Sequence, residues 1–173
     1  MASASGFEPL WAYVDEHFQC GPHSFHGIDH WRRVARNGRI VGARSGADPV
    51  IVELFALFHD SCRLSEGTDP GHGARGAELA RRLRGELFDL ADDEFETLSY
   101  ACTWHQDRDF SDDPTIATCW DADRLDLGRV NIIPDPALLN TAFAKQLAHE
   151  LDLEASLARL DTGSPEGTPT PDP

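Results

Sequence analysis

A chain of 173 residues with 40% hydrophobic content can bury one substantial core and little more, which points to a single domain. Its formal net charge of -15 argues against nonspecific binding to nucleic acid or to an anionic membrane, since both need a basic surface, but not against a small anionic ligand held by a metal and local arginines. No apolar run approaches the roughly 20 residues that span a bilayer, Met1–Gly6 lacks the segments of a signal peptide, and Cys20, Cys62, Cys102 and Cys119 form no C-x-x-C pair, so a cytoplasmic protein with reduced core thiols is expected.

The elements read as helical almost throughout. Residues 7–19 carry Leu10, Val14 and Phe18 at spacings of four, which suits a short amphipathic helix. After a loop over 19–27, a second helix from Asp29 to Arg44 places His30, Val34 and Val41 on one face, with Asp29 as its expected cap. Asp48-Pro49 starts a third helix that should reach Cys62. A glycine-bearing loop, 65–73, precedes a helix ending near Arg84. Asp92 and Asp93 begin another that reaches about His105. A polar loop, 107–113, leads to Pro114 and a helix ending near Gly128. Pro134 and Pro136 break the chain before a last helical region to Leu160, in one piece or two. The expected organisation is an all-α domain over 1–160, a single-domain helical bundle, followed by a disordered tail, 161–173, rich in Pro, Gly, Ser and Thr.

Metal-preferring side chains interrupt the apolar stripes. His59 continues Ile51 and Phe55 at intervals of four, and Asp60 sits about 100° around the helix from it. His105 follows Phe95, Leu98 and Cys102, and Asp123 lies between Trp120 and Leu127 on the stripe begun by Ile116. His72 lies one step from Gly76, and His30 one step from Val34. Any one histidine in such a place reads as a hydrogen-bonded core side chain. Six inward-aimed groups do not, because a buried carboxylate without partners costs several kcal/mol or titrates to its neutral form. Imidazole and carboxylate donors together suit Mn, Fe, Co, Ni or Zn.

These residues resemble the HD-domain superfamily of metal-dependent phosphohydrolases, through HGIDHWRRV at 26–34, ALFHDSCR at 56–63, DPGHGARGAELA at 69–80, the histidine of ACTWHQD, and DADRLDLG at 121–128. The resemblance implies a helical bundle of the HD-domain type whose basic metal site is His30, His59, Asp60 and Asp123. It implies that His72 and His105 supply a second ion, with Asp60 bridging the two. The helical stripe also favours Asp123 over Asp121, which should point roughly opposite. The implied cofactor is one or two divalent ions (Mn, Fe, Ni, Co or Mg), and the implied reaction is hydrolysis of a small phosphorylated substrate, a phosphate ester or anhydride and most plausibly a nucleotide. A coordinated water acidified by the metal would attack, with Asp60 both ligand and catalytic group.

Arg33, Arg63 and Arg124 lie near the ligand motifs and are the candidates to grip phosphate. One departure stands out: members that cleave guanosine tetraphosphate carry an acidic residue three positions after the doublet's aspartate, where this chain has Arg63. That lowers the expectation of alarmone hydrolysis and leaves the general acid among Glu66, Asp69 and His26. Two alternatives are a diiron oxygenase of the same superfamily that cleaves a carbon bond with dioxygen, and a noncatalytic metal- or nucleotide-binding module. His17 and His149 read as surface or packing groups, and the four tryptophans as core or pocket wall. The acidic run 107–113 lacks the glycine turn and terminal glutamate of a calcium loop. Homodimerisation is left open.

Overall fold

The computed structural model describes residues 6–161. Among the described residues there are seven helices: α1 (Glu8–Glu16), α2 (Ile28–Ser45), α3 (Pro49–Phe58), α4 (His72–Leu83), α5 (Asp92–Trp104), α6 (Pro114–Arg124) and α7 (Ala142–Asp161). Two 3-10 turns, Leu127–Val130 and Pro136–Leu138, join α6 to α7, and there is no strand among the described residues. The expected tail lies, beyond Asp161, outside the described residues. No helix among the described residues is long and apolar enough to cross a membrane.

Local chemistry explains most helix ends. Asp48 and Asp113 each accept hydrogen bonds from the two amides after the following proline, which fixes the starts of α3 and α6. Glu94 reaches back to the Ala91 amide at 2.9 Å and closes the first turn of α5. The start of α2 differs from expectation: Gly27 occupies the cap with no side-chain bond, and Asp29 sits exposed in the first turn.

α3 stops at Phe58 rather than Cys62. The Ser61 hydroxyl donates to the Phe58 carbonyl at 2.8 Å, and the Ser61 amide bonds the same carbonyl at 3.2 Å, so the chain tightens instead of continuing the ladder. α4 begins at His72, inside the stretch expected to be loop, after Gly71 turns the chain at φ 81°. α6 ends at Arg124 rather than Gly128, because the Asp126 amide bonds Asp123 O and the chain narrows into the Leu127–Val130 turn. α7 is one piece.

The core is the shared face of these helices. α2 packs along α3 and α6, and α4 along α5. Leu10, Trp31, Leu54, Phe55, Phe58, Phe95, Leu98 and Trp120 are all buried between them, each contributing roughly 1.5–3 kcal/mol of apolar burial. A smaller patch of Val41, Leu139, Ala144 and Ala148 seats α7. Trp11 packs against the core, whereas Trp104, expected in core or wall, is 36% exposed beside Tyr100 and Arg108. All four cysteines are free, but only Cys102 and Cys119 are core thiols; Cys20 and Cys62 are half-buried.

Candidate metal centre

Five helix ends converge on one point. His30 lies in the first turn of α2, His59 and Asp60 follow α3 directly, His72 opens α4, His105 follows α5, and Asp123 is in the last turn of α6. α4 can approach because Gly73 and Gly76 have no side chain. A Cβ at Gly73 would collide with the Cys102 carbonyl, and one at Gly76 with the Phe58 carbonyl. His30, His59, Asp60, His72 and His105 are all buried, while the Asp123 carboxylate keeps 21% of its surface exposed.

The donors sort into two groups on either side of Asp60. Asp60 Oδ2 lies 3.6 Å from His30 Nε2 and 3.8 Å from His59 Nε2. Asp123 Oδ1 is 3.3 and 3.6 Å from the same two nitrogens. Asp60 Oδ1 lies 3.0 Å from His72 Nε2 and 3.6 Å from His105 Nε2. The triads His30, His59, Asp60 and Asp60, His72, His105 each bring their donor atoms within 4.8 Å of one another.

Each imidazole is oriented from behind. Nδ1 of His30 donates to Asp126 Oδ2 at 2.7 Å, that of His72 to Asp69 O at 2.7 Å, and that of His105 to Cys102 O at 2.7 Å. Nδ1 of His59 is shared between the Phe55 and Ala56 carbonyls at 3.1 Å each. With the proton on Nδ1, each neutral ring turns its Nε2 lone pair inward. His30 and His59 then meet Nε2 to Nε2 at 3.1 Å, and His72 and His105 at 3.0 Å. Two lone pairs cannot bond each other, so each pair calls for a shared cation. Donors held at about 2.1 Å from one ion stand about 3.0 Å apart at octahedral angles and about 3.4 Å at tetrahedral ones. The donor types and spacings therefore fit a divalent transition ion.

The electrostatics agree. Burial pushes the Asp60 carboxyl up, but His59 by its charge and His105, His26 and His72 by hydrogen bonding hold it well below the usual carboxylate range. Asp123 behaves alike, burial being overcome by His30 and His59. Burial lowers His59, whereas burial of His30 is outweighed by Asp123 and Asp126, and that of His105 chiefly by Asp60, so both are raised.

The three arginines named from the motifs part company. Arg63 is buried beside the centre, with Nη1 3.6 Å from Asp60 Oδ1, while its Nε and Nη2 hold the carbonyls of Ser65 and Gly67. Arg33 points to the opposite side of His30, where its Nε donates to Asp126 Oδ1 at 2.7 Å. Arg124 lines the cavity at Asp60 and Asp123, but both its Nη groups bind carbonyls, of Asp109, Leu138 and Arg108, so its fork is engaged by two loops.

Among the acid candidates, Asp69 is occupied by Arg75 at 2.7 Å and by the Leu64 amide, and is a loop anchor. Glu66 and His26 both line a cavity of about 420 Å³ that opens onto Asp60, Arg63 and Asp123. His26 Nδ1 lies 2.7 Å from Asp60 Oδ2.

Asp126 and Arg129 escaped the sequence reading, and Asp121 has a partner it did not give. Asp126, one turn beyond Asp123, orients His30, a role its i+3 spacing in DADRLD could have suggested. Arg129 borders the cavity and is fixed by the Phe25 carbonyl, a loop contact no local pattern encodes. Asp121 does face away from the centre, but into a buried junction where its carboxylate accepts four hydrogen bonds from Asn140 and Thr141 at the start of α7.

Comparison with known proteins adds an independent line. A similar fold occurs in the crystal structure of a predicted HD superfamily hydrolase from an uncultured Thermotogales bacterium, 26% identical, with 90% of this chain and 92% of that chain covered and a TM-score of 0.71. A search of curated proteins gave no match. The HD domain family matches residues 27–128, more than half of the chain and the whole stretch from His30 to Asp123. On this match, together with the converging helix ends, the chain belongs to the HD-domain family.

Proposed function

We propose that the protein is a metal-dependent phosphohydrolase acting on a small phosphate ester or anhydride, that of a nucleotide. The observation that carries this reading is the pair of opposed Nε2 contacts flanking Asp60, each with its Nδ1 proton locked outward. His30, His59, Asp60 and Asp123 would hold one divalent ion, and Asp60, His72 and His105 a second. Bound there, such ions acidify coordinated water and neutralise charge on phosphoryl oxygens.

The chain's own residues supply the rest. Asp60 presents one oxygen to each group, so its position sets the spacing of the centre. Arg63 keeps Nη1 beside that carboxylate and 3.4 Å from His72 Nε2, and the residue lines the cavity, where its guanidinium would meet a phosphoryl oxygen. His26 and Glu66 are the cavity groups placed to move a proton, since Asp69 is tied to Arg75. The hydrolase named for the Thermotogales relative agrees with this class of reaction. The test is phosphate release from a panel of nucleotides and sugar phosphates by the metal-loaded chain. His59→Ala should abolish release and lose the ion of its own group, Asp60→Ala should abolish release and leave fewer than one ion per chain, and full retention of activity and metal in both would overturn the assignment.

A second reading keeps the centre and changes the chemistry. The complete Asp60, His72, His105 group favours two ions, which a diiron oxygenase also requires. Oxygen uptake by the iron-loaded chain, with no phosphate release from the panel, would select it.

A further inference from the structure

A second cavity, of about 570 Å³, opens on the Nδ1 side of His30, away from Asp60, and Ser24, Arg33, Asp126 and Arg129 border it. Arg129 also borders the cavity at Asp60, so its guanidinium belongs to the wall between the two. Asp126 is the hub: one oxygen accepts from His30 and lies 3.8 Å from Arg129 Nη1, and the other accepts from Arg33.

One carboxylate does not satisfy this much donor capacity. Arg33 makes no hydrogen bond among the described residues beyond that from Nε, so both its Nη groups remain open, and the side chain is 38% exposed. Arg129 uses Nε on the Phe25 carbonyl and Nη1 on the Asp126 carbonyl, leaving Nη2. The Arg129 side chain is 9% exposed and borders both cavities. Asp29, the other carboxylate on this wall, is 83% exposed and turned towards Arg32 at 4.0 Å. Two guanidinium groups on one wall thus keep donors beyond those that Asp126 takes up, and such donors suit an anion's oxygens.

We propose that Arg33 and Arg129 form a second anion subsite, and that the substrate carries a second phosphate beyond the phosphoryl group that is cleaved. The proposal rests on the phosphohydrolase reading. The two sites are close: only the Asp126 carboxylate, the His30 imidazole and two hydrogen bonds of 2.7 Å separate Arg33 Nε from His30 Nε2. Arg129 borders both cavities, so a small bisphosphorylated molecule with one anion at the centre would pass its guanidinium to set the other anion at the arginines.

Non-hydrolysable probes test this without turnover. Propylphosphonate and the ethane, propane and butane bisphosphonates are titrated calorimetrically into the metal-loaded full chain and into its Arg33→Gln and Arg129→Gln variants, with metal content and thermal melting measured on each protein. At least one bisphosphonate should bind about tenfold or more tighter than propylphosphonate. That advantage should shrink to under about threefold in either variant, with Arg33→Lys retaining part of it. Propylphosphonate binding with no bisphosphonate advantage, or an advantage that survives in both variants, would overturn the subsite and leave the proposed function standing. Failure of every probe to bind the wild-type chain would overturn both.

Discussion

Adding one methyl group at Gly73 should damage the centre from behind. The new Cβ would collide with the Cys102 carbonyl and lie 3.0 Å from His105 Nδ1, and these are the two partners of the 2.7 Å bond that orients His105. Overpacking of this kind costs about 1–3 kcal/mol. Weakening the His105 bond adds about 1 kcal/mol, and the better helix propensity of alanine returns up to about 1 kcal/mol. The net loss is about 1–4 kcal/mol, which for a chain of this size lowers the melting temperature by about 3–12 °C. Gly73→Ala should also bind less metal at the His72–His105 group, because His105 can no longer point its lone pair at the site. Gly42→Ala is the matched control: its Cβ would meet only Ala47 and Thr118, both at 3.8 Å, so the same change in mid-helix should be neutral or stabilising. Thermal melts with elemental analysis of both variants decide the matter. A Gly73→Ala protein with wild-type melting and wild-type metal would refute the packing argument.

Asp126→Ala removes the acceptor that orients His30 and should weaken metal binding by about 10–100-fold, read by competition with a chelating dye; unchanged affinity would deny Asp126 that role. Asp121→Ala strands the Asn140 and Thr141 donors and should cost about 2–4 kcal/mol by chemical denaturation, with metal content unaltered because Asp121 bonds none of the ligands. Acid should expel the metal early. His30 and His105 have raised affinity for protons, so protons compete with the ion from above the ordinary imidazole value of about 6.5, and apparent affinity should fall as pH drops from about 8 to about 6. A flat affinity over that range would contradict the proton competition.

Periodicity made much of this molecule readable in advance. His59 continues the Ile51 and Phe55 stripe, and His105 the Phe95, Leu98 and Cys102 stripe, so their inward aim follows from helix geometry alone. The Asp48-Pro49 and Asp113-Pro114 starts are equally local, each a carboxylate capping amides two residues on. What escaped depends on contacts distant in sequence or on the competition for single carbonyls. The end of α3 is decided by Ser61 taking the Phe58 carbonyl, which no apolar pattern announces. Arg124 and Arg33 lie beside ligand motifs, yet their directions are set by loop carbonyls and by Asp126. His26 precedes α2 and reaches Asp60 across 34 residues of sequence, so its chemistry was visible but not its partner.

Elemental analysis by plasma mass spectrometry tests the central claim most directly, on the wild-type chain purified without chelator, on a His72→Ala, His105→Ala double variant, and on Asp60→Ala. A centre built around a shared Asp60 predicts about two divalent ions per chain, about one in the double variant, and fewer than one in Asp60→Ala. Absence of metal from the wild-type chain, even after reconstitution with Mn, Fe, Co and Ni in turn, would contradict it.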